Sequence, residues 1–135
     1  MAGEVEVVGL RDVVKALRAA GADIEEELKG PLREIAEEAA RAVRGKVPVK
    51  TGRWRDSITA GATQRAAYVA WGKGSVPYAP WLEFGGTIKP RGTDVRRPWD
   101  PRGRYVFPTV RAMGPELERR TEEMLERVLR RNDLT

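Results

Sequence analysis

Residues 77–86 read P-Y-A-P-W-L-E-F-G-G, and the remainder of the 135-residue chain is arranged to present them. Tyr78, Trp81, Leu82 and Phe84 make this stretch largely apolar and aromatic. Pro77 and Pro80 fix φ near its start, and Gly85-Gly86 lets the backbone turn where a Cβ would clash. Tyr78 and Leu82 lie one helical turn apart, and Trp81 and Phe84 share the looser three-residue spacing. That pattern predicts a short helical turn begun near Pro80. Leu82 and Phe84 read as core residues, because side chains of this size bury large areas. Tyr78 and Trp81 fit two readings, a core plug or an anchor for another subunit, since Trp and Tyr also favour interfaces.

Upstream, Glu4 to Val8 alternates polar and apolar residues, which predicts a half-buried strand ended by Gly9. Leu10, Val13, Val14 and Leu17 then mark a short amphipathic helix that stops at Ala20-Gly21, where glycine suits the cap. Asp23 and Glu26 have the spacing of a capping box for the next helix. Its apolar face runs through Ile24, Leu28, Leu32, Ile35, Ala39, Val43 and Val47, and Gly30-Pro31 is expected to kink or divide it. Ala36, Ala39, Ala40 and Ala42 would let it approach a sheet closely. Pro48 stops it.

Thr51-Gly52 predicts a turn, with Thr51 as a cap for a short polar helical turn that carries Trp54. Ile58 to Gln64 and Ala66 to Gly72 read as two strands joined at Gln64-Arg65. Gly72-Lys73-Gly74-Ser75 lacks the upstream glycine of a phosphate loop and reads as a hinge.

Downstream, Thr87 to Lys89 predicts a short strand, and Pro90 to Arg104 a long projecting loop, so the exposed arm spans about residues 87–104. Six basic residues (Lys89, Arg91, Arg96, Arg97, Arg102 and Arg104) face only Asp94 and Asp100 there, so this arm holds most of the excess charge. Tyr105-Val106-Phe107 is expected to return as a strand, and Pro108 to lead into a closing helix. That helix has an apolar stripe of Leu117, Thr121, Met124, Leu125, Val128 and Leu129, with Gly114-Pro115 bending its first turn. The order predicts one α+β domain over residues 1–135, with a long helix and a C-terminal helix on one face of a small, mainly antiparallel sheet.

Composition narrows the chemistry. There is no cysteine and no histidine, which removes the thiolate nucleophile and the commonest general base and transition-metal ligand. No metal or cofactor site is therefore expected, and the chain reads as a non-enzyme. Glu83 is the one carboxylate inside the aromatic stretch, so it is the sole acid a hydrolase could use. A second converging carboxylate is not apparent, and a buried Glu83 is expected to pair with an arginine from a neighbour. The formal charge of +5 permits nucleic-acid contact, and the arm with Trp99 and Tyr105 could track phosphates or stack on bases. No apolar run reaches the length of a bilayer span, so neither a membrane helix nor a secretory signal is expected.

Several segments fall in a distinctive order. The first is V-V-G-L-R-D-V-V-K-A-L at 7–17, and the second is a long helix ending in V-P-V-K-T-G-R-W-R-D-S-I at 47–58. A strand pair, the 77–86 stretch and the Phe107-Pro108 step complete the order. This ordered set resembles the tail-component and head–tail joining family of tailed bacteriophages. Pro48, Thr51, Gly52, Arg53, Trp54, Ser57 and Ile58 match one of the family's patterns; Tyr78, Ala79, Leu82, Glu83, Phe84 and Gly85 match the other. The arm is longer than the family's usual connection. The resemblance implies a structural virion protein that forms a homo-oligomeric ring in the neck, joining the head's portal side to the tail tube. Its partners would be copies of itself, an adjacent connector ring and tail-tube or tail-terminator proteins, with non-specific contact to DNA in the lumen. It would reside in the virion, and in the host cytoplasm during assembly. On that reading Trp54, Tyr78, Trp81, Leu82, Glu83, Phe84, Gly85 and Trp99 contact other subunits, and the six basic residues of the arm face an adjoining ring or DNA. The alternative is a monomeric basic nucleic-acid-binding protein.

Overall fold

The computed structural model describes residues 3–48, 52–72 and 76–134. Three strands, β1 (Gly3–Gly9), β2 (Thr59–Ala62) and β3 (Ala66–Trp71), form an antiparallel sheet in the order β1-β3-β2. Pairing Val5 with Val69 and Ala60 with Val69 puts apolar residues on one face, while Glu6 and Gly61 share the other face with Tyr68. The register shifts between Glu6 and Val8, a bulge that leaves Val8 buried. The α+β architecture is the one the pattern predicts.

Helix α1 (Arg11–Ala19) closes as its sequence requires: Gly21 has φ of 88°, and the N–H of Ala22 reaches the Leu17 carbonyl at 2.8 Å. This six-to-one closure needs a residue in the left-handed region, which glycine occupies without strain. Helix α2 (Glu25–Arg44) crosses the inner face of β2 and β3. Ala36, Ala39 and Ala40 are fully buried there, and their small side chains permit the close approach.

Two expectations about α2 are corrected. The helix is not divided at Gly30-Pro31 and runs unbroken from Glu25 to Arg44. Gly30 supplies the reason, because a residue without Cβ escapes most of the clash that a proline ring imposes on its predecessor. The capping box does not form: Ile24 is the cap residue, Asp23 Oδ1 accepts only from the Glu25 N–H at 3.4 Å, and Glu26 accepts from Gln64 Nε2 at 2.8 Å. Instead the buried Glu25 carboxylate pairs with Arg18 and with Arg65, the latter at 2.9 Å, and ties α1 and the β2–β3 turn to the start of α2.

The other elements among the described residues are α3 (Arg53–Ser57), α4 (Ala79–Phe84), a two-stranded antiparallel ribbon of β4 (Gly86–Ile88) and β5 (Val95–Arg97), α5 (Val106–Ala112) and α6 (Gly114–Arg131). Tyr105-Val106-Phe107, expected as a strand, is instead the entry to α5. Pro108 and Pro115 each fall in the first turn of a helix, where the missing N–H has no partner to lose. Leu117, Met124 and Val128 bury the inner face of α6, which packs against α2 and is joined to it by Arg120–Glu38 at 3.0 Å. The expected Thr51 cap and residues 73–75 of the hinge expected at 72–75 lie outside the described residues.

Candidate functional site

The quoted stretch folds as predicted into a single helical turn, and its ends are fixed by the chain that follows. Gly85, at φ of 92°, closes α4 with its N–H on the Trp81 carbonyl at 2.7 Å. A Cβ at this position would lie 2.0 Å from the Pro98 carbonyl oxygen, so only glycine permits the crossing. The Asp100 N–H then bonds the Phe84 carbonyl at 2.7 Å, which pins the return leg of the β4–β5 hairpin onto α4.

Glu83 lies at the centre, with no solvent exposure. Its Oε1 accepts from the backbone N–H groups of Tyr105 at 3.1 Å and Val106 at 2.9 Å, and its Oε2 from Phe107 at 3.1 Å. These are the unpaired donors at the start of α5, so a side chain some twenty residues upstream does the work of a helix cap. A carboxylate holding several backbone N–H groups makes strong charge-assisted bonds. Gly103, at φ of 80°, makes room for it, since a Cβ there would come within 2.2 Å of Oε2. Arg104 donates to the Glu83 carbonyl at 3.4 Å and to the Pro98 carbonyl. The expected pairing of the Glu83 carboxylate with a neighbour's arginine is thus corrected. Backbone amides of the same chain satisfy it, and both its oxygens are engaged.

Aromatic rings close over this cap. Phe84 meets Phe107 at 5.4 Å, Trp71 at 6.0 Å and Trp99 at 5.9 Å between centroids. Trp54 packs edge-on to Tyr105 at 5.6 Å. Ser57 completes α3 by donating to the Trp54 carbonyl at 2.6 Å and accepting from the Gly72 N–H at 3.1 Å. Three of the segments that carry the resemblance therefore meet in one place. Trp54 and Ser57 come from the second block, Glu83 and Phe84 from the third, and Phe107 from the aromatic-proline step.

The expected contact residues divide by burial. Trp54 and Glu83 are sealed inside the chain, 2% and 0% exposed, and offer no side chain to a neighbour in this conformation. Tyr78, Leu82 and Phe84 are half-buried against the core, and Trp81 and Gly85 are also half-buried. Trp99 is 67% exposed.

The arm is exposed but is not the structureless loop expected, because its Val95–Arg97 leg pairs with Gly86–Ile88. Arg97 lies over the Trp81 ring at 5.5 Å and donates to the Tyr105 hydroxyl at 3.3 Å, while Arg104 is held on carbonyls. Lys89 faces Asp94 at 3.5 Å. The side chains of Arg91, Arg96 and Arg102 are exposed and have no hydrogen bond or ion pair among the described residues. Sequence reasoning missed Gly103 and Arg104 as parts of the cap. Their one signal, a Gly-Arg step before an aromatic, is uninformative until the position of Glu83 is known.

Among the described residues no group of acidic side chains is placed to hold a metal ion, and no helix is long and apolar enough to cross a membrane. A family model described as "Bacteriophage HK97-gp10, putative tail-component" matches residues 11–85. The chain belongs to this HK97-gp10-like family. No curated protein and no solved structure matches it. The family match ends at Gly85, so it includes Glu83 but not the α5 amides that Glu83 holds, nor the basic hairpin. As a tail component, an HK97-gp10-like protein is a structural part of the bacteriophage particle.

Proposed function

We propose that this chain is a subunit of a homo-oligomeric ring in the phage neck, joining the head's connector to the tail tube. It works by contact rather than by catalysis. The observation that carries the reading is the exposed basic hairpin. The side chains of Arg91, Arg96 and Arg102 have no hydrogen bond or ion pair among the described residues, and Trp99 beside them is 67% exposed. Unpaired guanidinium groups around an exposed indole suit a contact with another surface, since Arg and Trp dominate the energetics of interfaces. The ribbon pairing and the Asp100–Phe84 bond hold this surface in place before any partner arrives. Its docking then costs little ordering entropy.

The partners on this reading are copies of the chain, the adjoining connector ring and tail-tube or terminator proteins, with DNA passing through a basic lumen. Native mass spectrometry and electron microscopy of the purified protein, alone and with neighbouring neck proteins, test it. Rings are the expected result, and persistent monomer in every mixture overturns it. The same three cations favour a second reading, a monomeric DNA-binding protein. That reading requires binding to DNA that falls steeply with salt and is lost when Arg91, Arg96 and Arg102 are neutralised.

A further inference from the structure

A second surface on the molecule has the opposite character. Val7 from β1, Leu10 at the start of α1, Val110 from α5, and Leu117, Glu118 and Glu122 from α6 line an open groove of about 320 Å³. Among the described residues no basic side chain lines it. Glu116, Glu123 and Glu126 of α6 are engaged by arginines of the same helix, whereas Glu118 and Glu122 have no hydrogen bond or ion pair among the described residues. They lie one turn apart, so both carboxylates project from one side of α6. The adjoining strand β1 is an edge of its sheet, and edge strands are natural places for a further chain to dock.

The two surfaces stand at opposite ends of α5. Tyr105 at its start belongs to the cap beneath the hairpin, and Val110 near its end lines the groove. Five positions along the helix, a rise of about 8 Å, separate Tyr105 from Val110, so the hairpin and the groove form two distinct patches on one molecule.

We infer that the groove between β1 and α6 receives the basic hairpin of a second copy of this chain. Trp99 enters the apolar floor, and Arg91, Arg96 and Arg102 face Glu118 and Glu122. The charges on the two sides are complementary, and each group is unpaired until the copies meet. Joining one patch to a different patch on the next copy is a heterologous contact, which closes as a ring when the rotation permits. The inference rests on the ring reading above and names the surface through which the ring forms.

The test uses the full chain at about 1 mM, where even weak self-association registers. Reversing Glu118→Arg with Glu122→Arg, or Arg91→Glu with Arg96→Glu and Arg102→Glu, weakens self-association about tenfold or more through like-charge repulsion. Combining both sets in one chain restores it. Independently, the cysteine-free sequence allows an Arg96→Cys, Glu122→Cys variant, which gives a ladder of disulfide-linked oligomers on mild oxidation. Circular dichroism confirms that each variant is folded. Rings that survive the reversals unchanged, or that form without the cross-link, overturn this docking surface and leave the ring reading standing. A parent chain that stays monomeric at this concentration, together with a double-cysteine variant that gives no ladder, overturns the docking. The ring reading then fails only if neighbouring neck proteins also leave it monomeric.

Discussion

Removing the Glu83 carboxylate tests the argument about the α5 cap directly. Glu83→Ala leaves three backbone N–H groups without an acceptor. The Val106 donor is buried, and those of Tyr105 and Phe107 are half-buried. An unsatisfied buried donor costs about 2 kcal/mol and a partly hydrated one about 1 kcal/mol, giving a loss of about 4 kcal/mol before any cavity is counted. A domain of this size has about 5–15 kcal/mol of total stability, so the loss is a large share of it. Glu83→Gln separates charge from shape. The amide oxygen keeps the Tyr105 and Val106 bonds, its nitrogen faces the Phe107 donor, and the loss falls to about 1–2 kcal/mol. Urea unfolding followed by tryptophan fluorescence and circular dichroism reads both. For Glu83→Ala the midpoint falls by about 2 M at constant slope. A Glu83→Ala protein within about 1 kcal/mol of the parent, at the same slope, refutes the reasoning, because α5 would then stand without its cap.

Three further predictions concern the same frame. Gly85→Ala and Gly103→Ala each destabilise by about 2 kcal/mol or more, through positive φ and contacts near 2 Å. Gly61→Ala, with open space around it and no positive φ, is neutral or stabilising by up to about 0.5 kcal/mol; thermal melts compare the three. Trp54→Ala costs about 3–5 kcal/mol in urea unfolding, whereas Trp99→Ala stays within about 0.5 kcal/mol of the parent because its ring is mostly in solvent. The Glu116 carboxyl is held below its usual range chiefly by the hydrogen bond from Arg119. Its contribution is therefore present above the ordinary glutamate pKa and is lost as pH falls through the lowered one. Nuclear magnetic resonance titration shows the Glu116 pKa returning upward in Arg119→Ala.

Several elements were legible from local chemistry alone. The alternation of Glu4 to Val8 produced β1, and the turn at Gln64-Arg65 joined β2 to β3. Ala20-Gly21 ended α1 because a left-handed residue is a property of one position, and glycine supplies it wherever the chain needs it. The apolar stripe from Leu117 to Val128 likewise specified the buried side of α6.

The errors share a cause. Tyr105-Val106-Phe107 has strand propensity, yet it enters a helix because the two carboxylate oxygens of Glu83, from elsewhere in the chain, accept its three backbone N–H groups. Asp23 and Glu26 had the spacing of a cap, but Gln64 from the β2–β3 turn took the Glu26 carboxylate. The arm's prolines and charges suggested a loose loop, and pairing with Gly86–Ile88 gave it a strand. Sequence by itself determined where helices and strands of strong period lie, which faces they bury and where most of the positive charge collects. Only the tertiary structure decided which polar groups satisfy one another and which arginines and glutamates remain unpaired. The physical reason is that periodicity and turn chemistry act over a few residues, whereas a buried carboxylate finds its donors through space, across any length of chain.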